Sequence, residues 1–265
     1  MNIILVELNE INFDVVNDYI KNGETLNNLD YIINNGLTST SSEKEYELLE
    51  PWIQWPSVHL GKSFKEHNIF RLGDIIKSEH QQLFEKIENK GFEVGAISPM
   101  NADNKLKKSK YFIPDPWTKT RISGNFLIRS LSKAISQAVN DNSQSKLKIS
   151  SLLSLLASFI VFVPTKKWLS LLSYAISSIQ KPWRKAIFLD LFLHEIHKAL
   201  IKKYKVNFTT IFFNAGAHIQ HHYFFNSGVL KNNDLENPSW YIQRQDDPLL
   251  DLLKIYDRIM GDYLE

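Results

Sequence analysis

The sequence predicts an α/β fold, a largely parallel sheet flanked by helices and carrying a helical insertion. Three observations predict it. Apolar runs of strand length, "NIILVEL" (2–8) and "FTTIFF" (208–213), read as strands, and the unbroken run of the first is that of a strand covered on two faces. Helical stretches with one apolar face close on glycine. Strands and helices alternate along the chain, which is the order that builds parallel sheets.

Each element follows from its spacing. "NFDVVNDYIKNG" (12–23) is helical and stops at Gly23, a C-cap glycine. "TLNNLDYIINNG" (25–36) repeats the pattern, with Leu26, Leu29, Ile32 and Ile33 on one face and Gly36 at the end. "LTSTSSEKEYE" (37–47) reads as a more exposed strand. "SEHQQLFEKIENKGFEVGAISP" (78–99) is a helix, a glycine stop at Gly91 and a strand, with Leu83, Phe84 and Ile87 as the apolar stripe. A long helix, "PWRKAIFLDLFLHEIHKALIKKY" (182–204), precedes the strand in "KVNFTTIFFN" (205–214). From about residue 118 to 200 the signals are helical, so the expected organisation is a core part over 1–117, a helical cap over 118–200 and a return to the core over 201–265. "SQAVNDNSQSK" (136–146) is expected to be a loop within the cap. "DDPLLDLLKIYDRIMGDYLE" (246–265) is amphipathic, with Leu249, Leu252, Leu253, Tyr256 and Ile259 on one side. In an alternating chain such a helix leads into another strand, so the expectation is the N-terminal part of a longer protein.

Composition narrows the function classes. Hydrophobic residues at 43% and charged residues at 23% are those of a globular protein, and a formal charge of +2 gives no ground for a nucleic-acid surface. With no cysteine there is neither disulfide nor thiolate zinc site, so a metal must take His, Asp, Glu or neutral oxygen. "MNIILVELNEINFD" lacks a basic start and is interrupted by Glu7, unlike a secretory signal; the expected location is cytoplasmic. "ISSLLSLLASFIVFVP" (149–164) is strongly apolar but shorter than the roughly 20 residues of a membrane span. A buried or interfacial helix is expected there, with peripheral membrane contact left open.

Ligands of open parallel sheets bind beyond the carboxyl ends of the strands. The first strand ends in "ELNEIN", which offers Glu7, Asn9 and Glu10; the last ends in "NAGAHIQHH", which offers Asn214, His218, His221 and His222. His218 and His222 are four apart, on one side of a helical turn, suited to one cation or to phosphate contact; a histidine-rich aromatic loop is the plainer account. Glu7 and Glu10 either bind a divalent ion or serve local backbone groups and a helix start. In "LEPWIQWPSVHLGKSFKEHNIFRLGD" (49–74), Pro56 suits the first turn of a helix with Gln54 just outside it, and a helix N-terminus favours an anion. His59 faces that site or packs on Trp55. Asp115, between prolines in "YFIPDPWTKTR" (111–121), is a hinge cap or a substrate contact. Trp52, Trp55 and Trp117 line a pocket or simply pack. "FLHEIHKAL" sets His194 and His197 three apart, short of the H-E-x-x-H zinc spacing, and a cap-helix surface is the simpler account.

Together "LVELNE", "QWPSVHLG", "EHNIF" and "HIQHH", with "LFEKIENKGFEVGAIS" between them, resemble the alkaline phosphatase superfamily in its phosphodiesterase/nucleotide pyrophosphatase and sulfatase-like branches. The similarity covers residues 1 to about 115 and about 205 to 265. It implies metal ligands among Glu7, Asn9, Glu10, His218 and His222 and a nucleophile position at Gln54; Asn214, His59 and Asp115 stand beside them as candidate substrate contacts from their own positions. It also implies a divalent metal, zinc or manganese, and a small phosphate or sulfate ester as substrate, glycan- or lipid-linked ones included. The chain departs from the family pattern at three places. Asn9 stands where the first metal-binding Asp falls, Gln54 where the nucleophilic Thr falls, and His218 for the Asp of D-x-x-x-H, while His222 matches its His. An amide cannot attack as a hydroxyl does, so water is the expected nucleophile. Two functions follow as expectations: a metal-dependent phosphoric or sulfuric ester hydrolase, or a catalytically inactive relative that binds a ligand or partner.

Overall fold

The computed structural model describes residues 2–140, 147–230 and 235–265. Its elements, in chain order, are β1 (Ile3–Leu8), α1 (Phe13–Lys21), α2 (Asn27–Gly36), α3 (Pro51–Leu60), α4 (Phe64–His67), α5 (Leu83–Asn89), β2 (Val94–Ile97), β3 (Tyr111–Ile113), α6 (Phe126–Asn140), α7 (Ile149–Phe162), α8 (Trp168–Ser177), α9 (Arg184–Tyr204), β4 (Phe208–Phe213), α10 (Ala215–Tyr223) and α11 (Pro248–Leu264). The fold is α/β. The four strands lie in the order β1-β4-β2-β3 and are all parallel. β2 registers Gly95 with Tyr111 on one side and with Thr209 on the other.

Two compact units divide the chain. The first comprises residues 1–7, 41–166 and 195–212. Its core is Phe84, Val94, Ala96, Ala102, Leu106, Phe112 and Phe208. β2, β3 and β4 are buried along their whole length, and β3 is a strand that the sequence reading of 111–121 did not expect. β1 is an edge strand with Ile3 51% exposed, which corrects the expectation of cover on two faces. An apolar run of six residues carries no information about which end of the sheet order it occupies. The segment 37–47 forms no strand but an extended stretch ending in a single 3-10 turn from Tyr46. Its Ser and Thr side chains offer no apolar face to dock on a sheet. At 136–146, residues up to Asn140 continue α6, and 141–146 lie outside the described residues.

Helix α3 begins earlier than predicted. Pro51 occupies its first turn, and Pro56 and Gln54 lie inside it. Pro56 has no N–H for the carbonyl of Trp52, one turn back. The side-chain amide of Asn101 supplies the missing donor, Nδ2 to Trp52 O at 2.7 Å. Asn101 Oδ1 accepts from Gly73 N at 2.8 Å, and the Asn101 backbone N–H donates to Asp115 Oδ2 at 2.8 Å. One fully buried asparagine thus lets a proline sit inside a helix and ties that helix to two loops.

The second unit comprises residues 8–40, 167–194 and 213–265. The predicted stripe of α11 is its core: Leu249, Leu252, Leu253, Tyr256 and Ile259 are each at most 2% exposed. Helix ends here are capped through tertiary contacts. Asp257 of α11 accepts from the N–H groups of Asn28 and Leu29 at the start of α2, at 2.8 and 2.9 Å. Carboxylates at these positions satisfy donors that a helix leaves open and complement its dipole.

Among the described residues no single helix is long and apolar enough to cross a membrane. α7 is not a buried helix. Its inner face packs along α6, and its outer face is open to solvent.

Candidate functional site

In the second unit the tips of β1 and β4 meet. Asn9 Nδ2 donates to Asn214 Oδ1 at 2.9 Å, and Asn9 N to the carbonyl of Phe213 at 3.0 Å. Glu10 follows with a left-handed backbone, φ 58°. Few non-glycine residues adopt it, and such strain collects at functional sites. The turn directs Glu10 toward α10, where its carboxylate lies 2.6 Å from His221 Nε2.

α10 starts directly after β4 and is amphipathic in an unusual way. Ala215, Gly216, Ala217, Ile219 and Tyr223 are buried, and His218, His221 and His222 face outward. The rings of His218 and His222 lie 4.7 Å apart, centroid to centroid. Partial desolvation, then the imidazoles of His222 and His221, hold His218 below the ordinary histidine value. It is therefore neutral near pH 7, the form that accepts a cation. His222 Nδ1 lies 3.3 Å from the Tyr241 hydroxyl.

The N-terminus of α10 is held from below. Asp190 of α9 accepts from Ala215 N at 2.9 Å and from the Tyr256 hydroxyl at 2.6 Å, and Gly216 N donates to that same hydroxyl at 3.3 Å. Complete burial raises the Asp190 carboxyl from 3.8 to about 7, against the lowering effect of these donors. A raised carboxyl pKa means the folded state binds the proton more tightly. Its stabilisation is full below pH 3.8 and is lost as pH rises toward about 7. Asp190→Asn removes the titration. In urea unfolding, the wild type is expected to lose roughly 2–3 kcal/mol relative to this variant between about pH 5 and about pH 8.

The first unit places the other predicted residues. Glu7 is 1% exposed, with Thr210 Oγ1 donating to it at 2.6 Å and His59 Nε2 at 3.2 Å. His59 also packs on Trp55 and Phe84, at 6.1 and 5.3 Å between ring centroids. Gln54 turns back on its own segment, Nε2 to Leu48 O at 2.6 Å. Asp115 accepts three backbone N–H groups, from Asn101, Trp117 and Thr118, each at 2.8 Å. It borders a groove of about 830 Å³ between its own loop and α6. The structure therefore joins Asn9 to Asn214, Glu10 to His221 and His218 to His222 in one unit, and Glu7 to His59 in the other.

His194 and His197 are buried, not on a cap surface. His197 Nε2 bonds Thr209 Oγ1 at 2.8 Å within the first unit, and His194 Nε2 bonds Asp262 Oδ2 at 2.9 Å within the second. Asp262 lies 68 residues beyond His194, which hides that pairing. Ser57 and His67, 2.9 Å apart, invite a nucleophile–base reading that the network opposes. Ile69 N donates to His67 Nδ1 at 2.9 Å, so Nε2 carries the proton and donates to Ser57 rather than taking its proton. Sequence reasoning missed Asp190 and Tyr256; an Asp among the apolar neighbours of "IFLDLFL" was the available signal.

The fold and site define a parallel α/β protein with imidazole, amide and carboxylate groups at adjacent strand ends. No family model matches the chain, and no curated protein or solved structure matches it either.

Proposed function

We propose that the chain is a metal-dependent phosphoric or sulfuric ester hydrolase of alkaline phosphatase-like fold. The observation that carries this reading is the meeting of the β1 and β4 tips, with Asn9 on Asn214 and Glu10 reaching α10 beside the paired His218 and His222. His218, His222 and Glu10 are the ligands this reading gives to a single divalent ion such as zinc or manganese. The ligand atoms that lie within 4.8 Å of one another among the described residues are those of His194, Glu195 and Asp262, a second place to look for bound metal. His218 is held neutral, His222 lies one turn further on, and the Glu10 carboxylate supplies charge. Glu7 is outside this set, because its carboxylate is sealed between Thr210 and His59. When bound, such an ion polarises an ester oxygen and offsets its charge. The chain's own part is to orient: the Asn9 amide holds Asn214 at the strand end, and the Glu10 carboxylate is fixed against the His221 ring. Gln54 offers no hydroxyl for a covalent intermediate, so water is the attacking group.

A second reading, a non-catalytic relative that binds a phosphate- or sulfate-bearing ligand or partner, is favoured by the Gln54 amide being committed to Leu48 O. Metal analysis of the purified chain with chromogenic phosphate monoesters, diesters and sulfate esters separates the two. The hydrolase reading expects bound zinc or manganese and turnover. Both should fall at least about ten-fold in His218→Ala and His222→Ala, the usual cost of losing a ligand or its support. Absence of metal and of turnover on every ester contradicts it and leaves the binding module.

A further inference from the structure

We propose that the outward face of α7 docks on an anionic lipid surface. This stands apart from the ester site and does not rest on it. The helix is apolar on its outer side. Its inner face, against α6, carries Ser151, Ser154 and Ser158 together with Leu155 and Phe162, and Ser151 Oγ donates to Gln137 of α6. Its outer face is Ile149, Leu152, Leu153, Leu156 and Ile160, at the i, i+3, i+4, i+7, i+11 spacing of one stripe. Their exposures run from 46% to 78%. The small inward serines allow close approach to α6, and the large aliphatic side chains of the outer face are left to the solvent. A contiguous aliphatic stripe of this kind marks a surface that is covered by something else.

Charge identifies the cover. Residues 116–189 hold eleven Lys or Arg and a single acid, Asp141, while the rest of the chain holds 20 basic and 28 acidic residues. The helix has no charged residue, and Lys148 and Lys166 stand exposed at its two ends. An apolar stripe bordered by lysines, in a segment stripped of acids, matches a bilayer interface: side chains enter the acyl boundary and ammonium groups meet lipid phosphates. A nucleic acid would need stacking or polar side chains where this face has Leu and Ile. α8, in the other unit, has a stripe of the same composition in Leu169, Leu172 and Ile176, at 85%, 42% and 67% exposure.

The test is flotation of the full chain with vesicles of phosphatidylcholine alone and of equimolar phosphatidylcholine and phosphatidylglycerol. Binding is expected to the anionic vesicles, weakening as salt is raised. Leu153→Glu with Ile160→Glu should reduce it at least about ten-fold, and Lys148→Glu with Lys166→Glu should reduce it by a similar factor on anionic vesicles. All four side chains are exposed, so circular dichroism of the variants should match the wild type. Failure of the wild type to float, or equal flotation of the Glu variants, overturns the proposal. So does self-association without lipid that Leu153→Glu with Ile160→Glu abolishes, because the stripe would then be covered by a second copy.

Discussion

Gly216→Ala is expected to unseat α10 from the end of β1, lowering stability by roughly 2–4 kcal/mol and weakening any metal binding at least about ten-fold. A β-carbon at Gly216 would sit 2.6 Å from the Asn9 carbonyl oxygen and 2.7 Å from Ile11 Cδ1. The first of these is backbone and has no rotamer to change. α10 cannot slide away freely, because Asp190 and Tyr256 clamp its first turn. Either the clamp or the Asn9–Asn214 contact must give way, and both outcomes displace His218 and His222 relative to Glu10. In solution and within a free helix, alanine is the better helix former, so a gain in stability would show that the close approach does not exist. Urea unfolding, with zinc titration of the folded variant, measures both effects.

Asn101→Ala is expected to cost about 3–4 kcal/mol, the largest effect in the first unit outside its apolar core. The substitution orphans Gly73 N and the carbonyl of Trp52, and removes a weaker contact to Arg71 O at 3.3 Å. Nothing else can donate to Trp52 O along α3, since the residue one turn on is Pro56. Alanine also suits the left-handed backbone at this position, φ 47°, less well than asparagine. Chemical denaturation of the variant measures the loss. Pro56→Ala in the Asn101→Ala background supplies the intrahelical donor and should recover part of it. A variant as stable as the wild type would remove Asn101 from its role in holding α3.

These two positions mark where sequence reading succeeds and where it stops. The stripe of α11 and the glycine stop of α5 were legible because each is decided within a few residues by periodicity and backbone freedom. "FTTIFF" was legible as a strand for the same reason. Pro56 was misplaced because two prolines five residues apart both suit a helix start. The one that sits inside is tolerated only through Asn101, some 45 positions later. β1 looked like β4 because strand order leaves no local trace in an apolar run. At the site, "NAGAHIQHH" announced its outward imidazoles, and strand ends announced Asn9 and Glu10. Glu7 looked equivalent to Glu10, yet strand alternation turned it inward to Thr210 and His59. Asp190 showed only as an Asp among apolar neighbours, and its role was hidden because the helix it caps begins 25 residues downstream.

The β1 tip and the imidazoles of α10 are proposed to form one site. The most direct measurement follows the histidine ring resonances by NMR while zinc is added to the wild type and to Glu10→Gln. His218 and His222 are expected to shift together at one affinity, and Glu10→Gln to weaken this affinity several-fold while leaving the rings of the buried His59 and His197 unmoved. Shifts confined to other histidines, or the same affinity with and without the Glu10 carboxylate, would contradict a shared site.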